Sequence, residues 1–367
     1  MKILYLADFF YPNKGWIEVL LSQIVEHFAK KNEVFVITWK YQFNLPKIEK
    51  IYGAKVIRVP ALNLYQFYFK AYREAKKIIQ DVDIIHSNTF FSAFVWNCLA
   101  EKYKKRHLVH IHGFFWKLRD QMVDWKLKFL KSWKFQYFEK KISNFDAEFI
   151  CVSKYVYDVM KFVYGVDDDK LHLIYNGLNQ QKWLSYLDKE KIQNIKKQIK
   201  PHDEFVYLFY GRNEKVKNVD VLINAFKKAN IPHSKLVLLA SDFWNDGYFR
   251  EIEKNIFLYP SVEHHKLPNW IKASDVVVFP SITESFGYVG LETSLLETPL
   301  IASDMWAIPE VVFGKVRFFN PFDEEDLVQA LIDARNWKFQ EIPKKSFDIQ
   351  QTLKKLELVY EGVDFCV

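Results

Sequence analysis

The sequence predicts an α/β protein with two doubly wound domains, each built on a parallel sheet covered by helices. Short runs of β-branched and aromatic residues alternate with amphipathic stretches from one end of the chain to the other, which is the pattern of a βαβ protein. The pattern changes to a polar, lysine-rich stretch at 181–204 and restarts at Phe205. With 367 residues, half of them hydrophobic, the chain is long enough to bury two cores.

Strands are expected where a short apolar run is bounded by turn residues. In the first half they are predicted at Lys2–Ala7, Glu33–Thr38, Lys55–Val59, Ile84–His86, His107–His112, Glu148–Val152 and His172–Ile174. In the second half they are predicted at Phe205–Tyr210, Lys235–Leu239, Ile256–Tyr259, Val276–Pro280, Leu300–Ser303 and Val316–Phe319. Amphipathic periodicity predicts helices that include Glu18–Lys30, Leu64–Gln80, Asp120–Ser143 and Ile349–Gly362.

The change of pattern places a domain boundary at residue 180. Residues 1–180 are predicted to form the first domain and 181–348 the second, and the last helix, from about 349 to 367, is expected to pack back on the first. Doubly wound domains bind ligands at the carboxyl ends of their strands. Two such domains are expected to face a shared cleft, which suits an enzyme with two substrates.

The three cysteines are far apart in the sequence, at Cys98, Cys151 and Cys366. This spacing predicts neither a disulfide framework nor a metal cluster, and it favours a reducing cytoplasm. No apolar run approaches the 18 or so residues of a membrane span. The apolar stretch before Asp8 is too short for a signal peptide and is interpreted as a first strand.

Positive charge is concentrated in one segment, residues 101–141, which has 12 Lys or Arg and 4 acidic residues. Within it, aromatic residues at i, i+4 spacing form one stripe of a predicted helix, at Trp125, Phe129, Trp133 and Tyr137. Lysines beside such a stripe are typical of a membrane-surface helix. Contact of Lys117–Lys141 with an anionic membrane or a lipid-linked acceptor is therefore one of two interpretations that stay open. The other, which the sequence favours, is a core helix of the first domain with a solvated basic face, and no nucleic-acid motif accompanies the charge.

The densest group of candidate functional residues lies at 280–292. A predicted strand ends at Pro280, Glu284 follows in a loop, and Gly287 stands where a helix containing Glu292 begins. Free backbone N–H groups at such a helix start can bind phosphate. Because a carboxylate repels phosphate, the two carboxylates are suited to binding ligand hydroxyls. The alternative is that they are an ordinary loop acid and an ordinary helix acid.

A second group lies where the strand starting at Phe205 runs into Gly211, followed by Arg212 and Lys217. Two cations at the carboxyl end of a strand can neutralise a diphosphate without a metal. A solvated basic turn is the alternative.

In order and spacing, these residues resemble the family 4 retaining glycosyltransferases, which have the GT-B architecture of two Rossmann-like domains. The second-half motifs are the E-x7-E pair Glu284 and Glu292, the Gly-Arg-x4-Lys turn of Gly211, Arg212 and Lys217, Thr298–Asp304 and Pro309–Val312. The first-half motifs are Tyr11–Glu18, Asp83–His86, His110–Gly113, Asp146–Ser153 and Ile174–Gly177. The resemblance covers nearly the whole chain.

The resemblance implies a retaining, metal-independent hexosyltransferase that needs no cofactor. It would move a sugar from a nucleotide-diphosphate sugar to a hydroxyl of a glycan, glycolipid or lipid-linked acceptor. The implied catalytic residues are Glu284, on the transferred sugar, Arg212 and Lys217, on the diphosphate, and His112, over the reacting sugar. The implied donor-binding residues are Gly15, Trp16, Gly211, Arg212, Lys217, Glu284, Phe286, Gly287, Tyr288, Val289 and Glu292, the last on the ribose. The enzyme is expected to be cytoplasmic, and peripheral on the inner face of the membrane if the basic segment binds lipid.

Several positions depart from the family pattern, in which glycine is usual. Trp16 replaces the second glycine of the first loop, and the other replacements are at Ser285, Glu297 and Met305–Ala307. Two further functions remain open from the sequence: a catalytically silent GT-B protein that binds a sugar or polymer, and a GT-B-type sugar-nucleotide epimerase. His110 and His112 share one strand face, but no further ligands complete a zinc site in the sequence pattern.

Overall fold

Each half of the chain folds around its own sheet, in a computed structural model that describes residues 1–13, 15–114, 137, 139–241 and 250–363. The first unit contains the described residues up to 114, those from 137 to 177 and those from 350 onwards. The second unit contains the described residues from 178 to 349. The change of unit after Gly177 lies close to the predicted boundary at residue 180.

The sheet of the first unit has the strand order β3-β4-β2-β1-β5-β6-β7-β8. Its strands are β1 (Lys2–Ala7), β2 (Glu33–Trp39), β3 (Ile48–Ile51), β4 (Ala54–Val59), β5 (Ile84–Ser87), β6 (Arg106–Ile111), β7 (Glu148–Cys151) and β8 (Leu171–Leu173). All neighbours are parallel except β3, which pairs antiparallel with β4 at the edge. The helices are α1 (Trp16–Phe28), α2 (Leu64–Ala75), α3 (Phe90–Tyr103) and α4 (Lys154–Asp158).

The sheet of the second unit repeats this plan, with the order β11-β12-β10-β9-β13-β14-β15-β16. Its strands are β9 (Phe205–Arg212), β10 (Ser234–Ser241), β11 (Arg250–Glu253), β12 (Ile256–Pro260), β13 (Val276–Phe279), β14 (Leu300–Ser303), β15 (Gly314–Phe319) and β16 (Gln340–Ile342). Its helices are α5 (Gln180–Ser185), α6 (Lys189–Ile199), α7 (Val219–Ala229), α8 (Leu267–Ala273), α9 (Tyr288–Leu295), α10 (Ile308–Val311) and α11 (Glu324–Arg335). Only β11 and β16, at the two edges, run antiparallel to their neighbours among the described strands.

The predicted fold class, two doubly wound parallel-sheet domains, is confirmed. The sequence prediction missed β3, β11 and β16, with the sequences IEKI, REIE and QEI. Central strands of a parallel sheet are buried on both faces and therefore appear as apolar runs. These three edge strands are short and carry charged residues, as edges commonly do, so they lack that signal.

The last helix, α12 (Ile349–Glu361), packs on the first unit through its final turns. The hydroxyl of Tyr360 lies 2.9 Å from that of Tyr5 and 2.5 Å from Nδ1 of His86, in the middle of the first sheet. Glu357 pairs with His27 of α1 at 2.9 Å. Because the hydroxyl of Tyr360 is buried, these partners replace the hydrogen bonds to water that it loses on folding.

Two sequence predictions fall on residues outside those described. They are the basic aromatic helix predicted at Asp120–Ser143, of which only residues 137 and 139–143 are described, and the cysteine at 366. In the described part of the chain, no helix combines the length and the apolar character needed to cross a bilayer.

Glu297, one of the positions where the family pattern has glycine, keeps the backbone conformation of glycine. It follows α9 with φ of 54°, its N–H donates to Ser294 O at 3.0 Å, and the N–H of Thr298 donates to Thr293 O at 3.3 Å. This is a Schellman turn, whose left-handed position favours glycine. A side chain there costs about 1–2 kcal/mol.

We predict that Glu297→Gly raises the free energy of unfolding by roughly 1 kcal/mol, because it removes the left-handed strain and leaves the turn intact. Urea unfolding measures the change. Glu297→Ala removes the same exposed carboxylate but keeps the strain, so it should give no such gain. Equal stabilisation by glycine and alanine would show that charge, and not backbone strain, is responsible.

Candidate functional site

Both units place their first strand at the point where the strand order reverses. In the first unit β1 lies between β2 and β5, and in the second β9 lies between β10 and β13. The loops that leave the carboxyl ends of the two strands on either side of such a point diverge, which opens a crevice for ligands. The site is therefore sought at the ends of β1 and β5, and of β9 and β13.

In the second unit, two glycines allow α9 to begin directly against the sheet. Gly287, immediately before the helix, has φ of 94° and, as a glycine, supplies no side-chain cap to this end. A Cβ on Gly287 would lie 3.4 Å from Cε1 of Phe279 in β13, and one on Gly290 would lie 2.6 Å from Cγ1 of Val312, closer than packing tolerates. The N-terminal backbone N–H groups of Tyr288 and Val289 therefore open α9 next to the end of β13, with the positive end of the helix dipole.

Lys217 and Glu284 form an ion pair at the ends of the adjacent strands β9 and β13. Nζ of Lys217 lies 2.5 Å from Oε1 of Glu284, and the two side chains are only 18% and 17% exposed. Among the described residues, no hydrogen bond donor approaches Oε2 of this carboxylate. One carboxylate oxygen therefore neutralises the lysine, and the other is available to a ligand hydroxyl.

The loop that carries Glu284 is held from both sides at Ile282. The N–H of Ile282 donates to Val216 O at 2.8 Å, and its C=O accepts the indole N–H of Trp306 at 2.7 Å. Trp306 stands where the family pattern has glycine, and it keeps a left-handed φ of 61°. Its side chain thus fixes the loop whose carboxylate meets Lys217.

Arg212 ends β9 directly after Gly211 and is the most solvent-exposed cation of the group. Its guanidinium pairs with Glu214 at 3.0 Å, and its side chain is 67% exposed. An exposed pair of this kind is weak, so an anionic ligand can take the arginine from Glu214 at small cost.

Glu292 is fully buried on α9, and both of its carboxylate oxygens have partners. Tyr210 donates to Oε2 at 3.0 Å, and Nε2 of His264 lies 2.7 Å from Oε1. The His264 ring stacks on Trp183 at 4.7 Å, whose indole N–H donates to the backbone C=O of Glu292 at 3.2 Å. Desolvation raises the pKa of Glu292 although the bonds from His264 and Tyr210 oppose that shift.

The other predicted residues of α9 and its loop line the same region. Phe286 is buried, and its ring meets those of Tyr288, at 5.0 Å, and Phe347, at 5.7 Å. The hydroxyl of Tyr210 lies 3.1 Å from the backbone C=O of Val289. The structure therefore brings together the second-unit residues predicted from the sequence, from Gly211 to Glu292, at one edge of one sheet.

In the first unit, His112 follows β6 and lies near Asn88, which follows β5. Nε2 of His112 is 3.3 Å from Oδ1 of Asn88, and its ring stacks on His110 at 4.2 Å. Desolvation lowers the pKa of His112 to about 3, so the imidazole is neutral at pH 7. A neutral ring can donate one hydrogen bond and accept another.

Gly15 and Trp16 open α1, which follows β1 in the first unit. The carboxylate of Glu18 lies against Gly15, since a Cβ placed on this glycine would be 2.1 Å from Oε2. Asn13 donates to Oε1 of the same carboxylate at 3.3 Å. The indole of Trp16 is partly exposed at the start of the helix.

Asp8 is a candidate that the sequence reasoning missed. It follows β1 at the reversal point of the first sheet, where Tyr68 donates to Oδ1 at 2.8 Å and Thr89 to Oδ2 at 3.3 Å. Desolvation raises its pKa, and no cation among the described residues pairs with it. Its position directly after the first strand of a doubly wound domain was a signal in the sequence.

The described residues contain no group of three or more His, Cys, Asp or Glu side chains arranged to hold a metal ion.

Comparison with known proteins assigns both halves of the chain to glycosyltransferase family models. The family model "Glycosyltransferase Family 4" matches residues 17–182, and the model "Glycosyl transferases group 1" matches residues 188–341. An uncharacterized glycosyltransferase of Methanocaldococcus jannaschii is 28% identical over 301 residues, which cover 78% of this chain and 75% of the relative. A phosphatidylinositol N-acetylglucosaminyltransferase subunit of Saccharomyces cerevisiae is 21% identical, over 99% of this chain and 80% of the relative.

Solved structures share the fold over the whole chain. Sucrose-phosphate synthase from Thermosynechococcus elongatus has a TM-score of 0.77 at 20% identity, covering 98% of each chain. The Anabaena protein HepE in complex with UDP-glucose has a TM-score of 0.72 at 17% identity, covering 99% of this chain and 100% of that one. At these identities the likeness establishes the GT-B fold.

We predict that Glu292→Gln becomes more stable relative to the wild type as the pH rises. Because the folded-state pKa of Glu292 is raised, the wild type loses stability as the pH rises from the unfolded-state pKa through the folded-state pKa, and glutamine does not titrate. The difference should grow by about 1.4 kcal/mol for each unit of pKa elevation. Urea unfolding at pH 5 and pH 8 measures it, with the exposed Glu190→Gln as control. A stability difference that stays constant with pH would contradict a raised folded-state pKa for Glu292.

Proposed function

The chain belongs to the family 4, group 1 glycosyltransferases of GT-B fold, and from this premise we propose that it is a retaining hexosyltransferase that needs no metal. It transfers a sugar from a nucleotide-diphosphate sugar to a hydroxyl of a glycan, glycolipid or lipid-linked acceptor. The observation that carries the proposal is the Lys217–Glu284 pair beside the start of α9, where Gly287 is the N-cap. This arrangement offers a cation, a hydroxyl acceptor and the N-terminal N–H groups of a helix within one crevice.

Lys217 and Arg212 bind the diphosphate and stabilise its charge. Transfer breaks the bond between the anomeric carbon and a diphosphate oxygen, so negative charge grows on the leaving group. Lys217 is held by a single carboxylate and Arg212 by an exposed one. Both cations can turn to the leaving group, and the N–H groups of Tyr288 and Val289 add the helix dipole. The charge of a metal ion is not required where these groups supply it.

Glu284 and Glu292 bind hydroxyls. The free Oε2 of Glu284 accepts hydroxyls of the transferred sugar. Glu292 accepts the ribose hydroxyls in place of His264, whose side chain is 34% exposed. The exchange keeps a hydrogen bond donor on each oxygen, which a buried carboxylate needs. Phe286 shapes this edge by packing under the loop.

The first unit contributes groups to the reacting sugar and the donor. His112, neutral and partly exposed, provides a hydrogen bond over the reacting sugar without adding positive charge. Gly15 lets the loop after β1 approach the donor, with Glu18 displaced from its present position against Gly15. The indole of Trp16 makes the phosphate pocket narrower than it would be with the glycine that the family pattern has at this position.

Asp8 binds the acceptor hydroxyl. Among the described residues, its carboxylate oxygens are held only by the hydroxyl donors of Tyr68 and Thr89, so a third hydroxyl can bind it without displacing a cation. Perturbed carboxylates at crevices are frequent at functional sites.

The relatives support particular substrates. HepE has been solved with UDP-glucose, which makes UDP-glucose the first donor to test. The yeast relative is named for transfer to phosphatidylinositol, which supports a lipid acceptor. The lysine-rich segment Lys117–Lys141 would then contact an anionic membrane surface.

We predict that the wild type hydrolyses at least one donor in a panel of UDP-, GDP- and ADP-sugars, and that Lys217→Ala slows this hydrolysis more than tenfold. The reason is the loss of a positive charge on the leaving diphosphate. Released nucleotide is measured. Lys215→Ala removes an exposed lysine from the same turn, Lys215–Lys217, and should change the rate less than twofold.

Binding of a nucleotide sugar with no turnover of any donor or acceptor would favour the silent binding protein. Conversion of the donor to an epimer would favour the epimerase. Equal rates for the two lysine variants would remove Lys217 from the site.

We also predict that Asp8→Asn slows transfer to octyl glycoside acceptors by about tenfold or more and leaves donor hydrolysis unchanged. A hydrogen bond to a charged group contributes about 1.5–3 kcal/mol, and asparagine removes the charge but keeps the shape. Because the pKa of Asp8 is raised, wild-type transfer should also rise with pH as this carboxyl ionises. Asp81→Asn, at an exposed residue, is the control. A parallel loss of hydrolysis and transfer would exclude a role confined to the acceptor.

A further inference from the structure

The first unit exposes a group of large apolar side chains at the edge of the sheet where β2 and β4 end. We call this group the apolar rim. Its members are exposed to between 39% and 99%: Phe43, Ile48, Leu62, Leu64, Tyr65 and Phe69. Apolar residues scattered singly on a surface are ordinary, but a contiguous group marks an interaction site.

Two neighbouring loops bring the rim together. One loop leaves β2 and enters β3, and the other joins β4 to α2, so both lie at the carboxyl ends of β2 and β4. They are joined by hydrogen bonds from Lys40 N–H to Val59 O and from the Trp39 indole to Ala61 O, both of 2.9 Å. Phe43 and Leu62 therefore project from adjacent loops.

Helix α2 continues the rim along its outer face. Phe67, Ala71 and Ala75 are buried against the sheet, whereas Tyr65 and Phe69, at i, i+4 spacing, face solvent at 89% and 67% exposure. Both faces of this helix are therefore apolar at its N-terminal end, although only one of them contributes to the core.

The charge in the two chain segments that form the rim has one sign. Residues 40–48 and 60–73 contain no acidic residue and four cations: Lys40, Lys47, Lys70 and Arg73. The flanking acids are already paired, Glu49 with Arg58 at 2.6 Å and Glu74 with Lys77 at 2.7 Å. Nζ of Lys70 lies 3.0 Å from Pro60 O, at the edge of the rim.

We propose that the apolar rim is a docking surface for an anionic lipid bilayer. Aliphatic and aromatic side chains that project beside lysine and arginine match the interface of a membrane, where apolar groups enter the acyl boundary and cations meet anionic headgroups. Three of the rim residues are aliphatic, which suits acyl chains better than nucleobases. This surface is separate in sequence from Lys117–Lys141.

The rim also borders the candidate acceptor position. Tyr68 lies on α2 between Tyr65 and Phe69, and its hydroxyl holds Asp8 at 2.8 Å. A membrane on the rim therefore brings lipid headgroups to the edge at which Asp8 would bind the acceptor hydroxyl. This last step rests on the proposed function, whereas the docking of the rim on lipid does not.

The test is co-sedimentation of the full chain with vesicles of phosphatidylcholine alone and of phosphatidylcholine with 30% phosphatidylglycerol. We expect binding to the anionic vesicles only, weakened by 1 M salt. The triple substitution Leu62→Ser, Tyr65→Ser and Phe69→Ser should weaken that binding at least tenfold. Phe322→Ser, at an apolar residue of the second unit that is 64% exposed, should leave it unchanged. Circular dichroism checks that the variants fold.

A variant with Lys126, Lys128, Lys131 and Lys134 changed to Gln separates this surface from the basic segment. If it abolishes binding while the triple variant binds as the wild type does, the proposal is overturned in favour of the segment. Equal binding to both vesicles, or none to either, also overturns it. A dimer in light scattering that the triple variant dissociates would assign the rim to a second copy of the chain. Donor hydrolysis by the triple variant should be unchanged, which separates failure of docking from failure of the proposed activity.

Discussion

A fully buried carboxylate organises the crevice of the second unit. Glu292 can remain inside only because Tyr210 and His264 each meet one of its oxygens, since an unpaired buried charge would cost several kcal/mol. Tyr210 belongs to β9, and the Trp183 indole that binds the backbone of Glu292 belongs to α5. The same residue therefore connects the helix to the central strand and to the first helix of the unit. The hydrogen bonds of Glu292 therefore fix α9 so that the N-terminus of the helix points toward the ends of β9 and β13.

The same geometry recurs in the first unit with different chemistry. Both units have a first strand between two parallel neighbours, and both place a charged group directly after it or at its end, Asp8 in one and Arg212 in the other. The sign of the charge differs because the ligands proposed for the two crevices differ. A diphosphate needs cations, whereas an acceptor hydroxyl needs a hydrogen bond acceptor. The topology thus determines where a site can form, and the residue at the end of the strand determines what it can bind.

The sequence predicts the parts of this protein whose signal is local. Central strands are apolar runs because both of their faces are buried, and the motif residues of the second unit follow them at fixed offsets, so the sequence could place them at one edge. What it could not predict depends on side-chain placement. The pairing of Lys217 with Glu284 joins residues 67 positions apart, and the exposure of Phe43 and Leu62 depends on how two loops leave the sheet. Asp8 had a signal, its place after the first strand, but without a motif around it that signal was not used.

The positions that lack the expected glycine show why a strained backbone can persist. Trp306 keeps a left-handed φ that glycine would adopt without cost, and this strain costs about 1–2 kcal/mol. A glycine at this position has no indole, so it could not donate to Ile282 O, and the loop that presents Glu284 would lose one of its two attachments at that residue. Glu297 has the same strain, but no partner for its carboxylate is found among the described residues. The two substitutions are therefore different in kind. The strain at Trp306 is offset by a hydrogen bond that positions a site residue, whereas the strain at Glu297 has no such compensation in its turn.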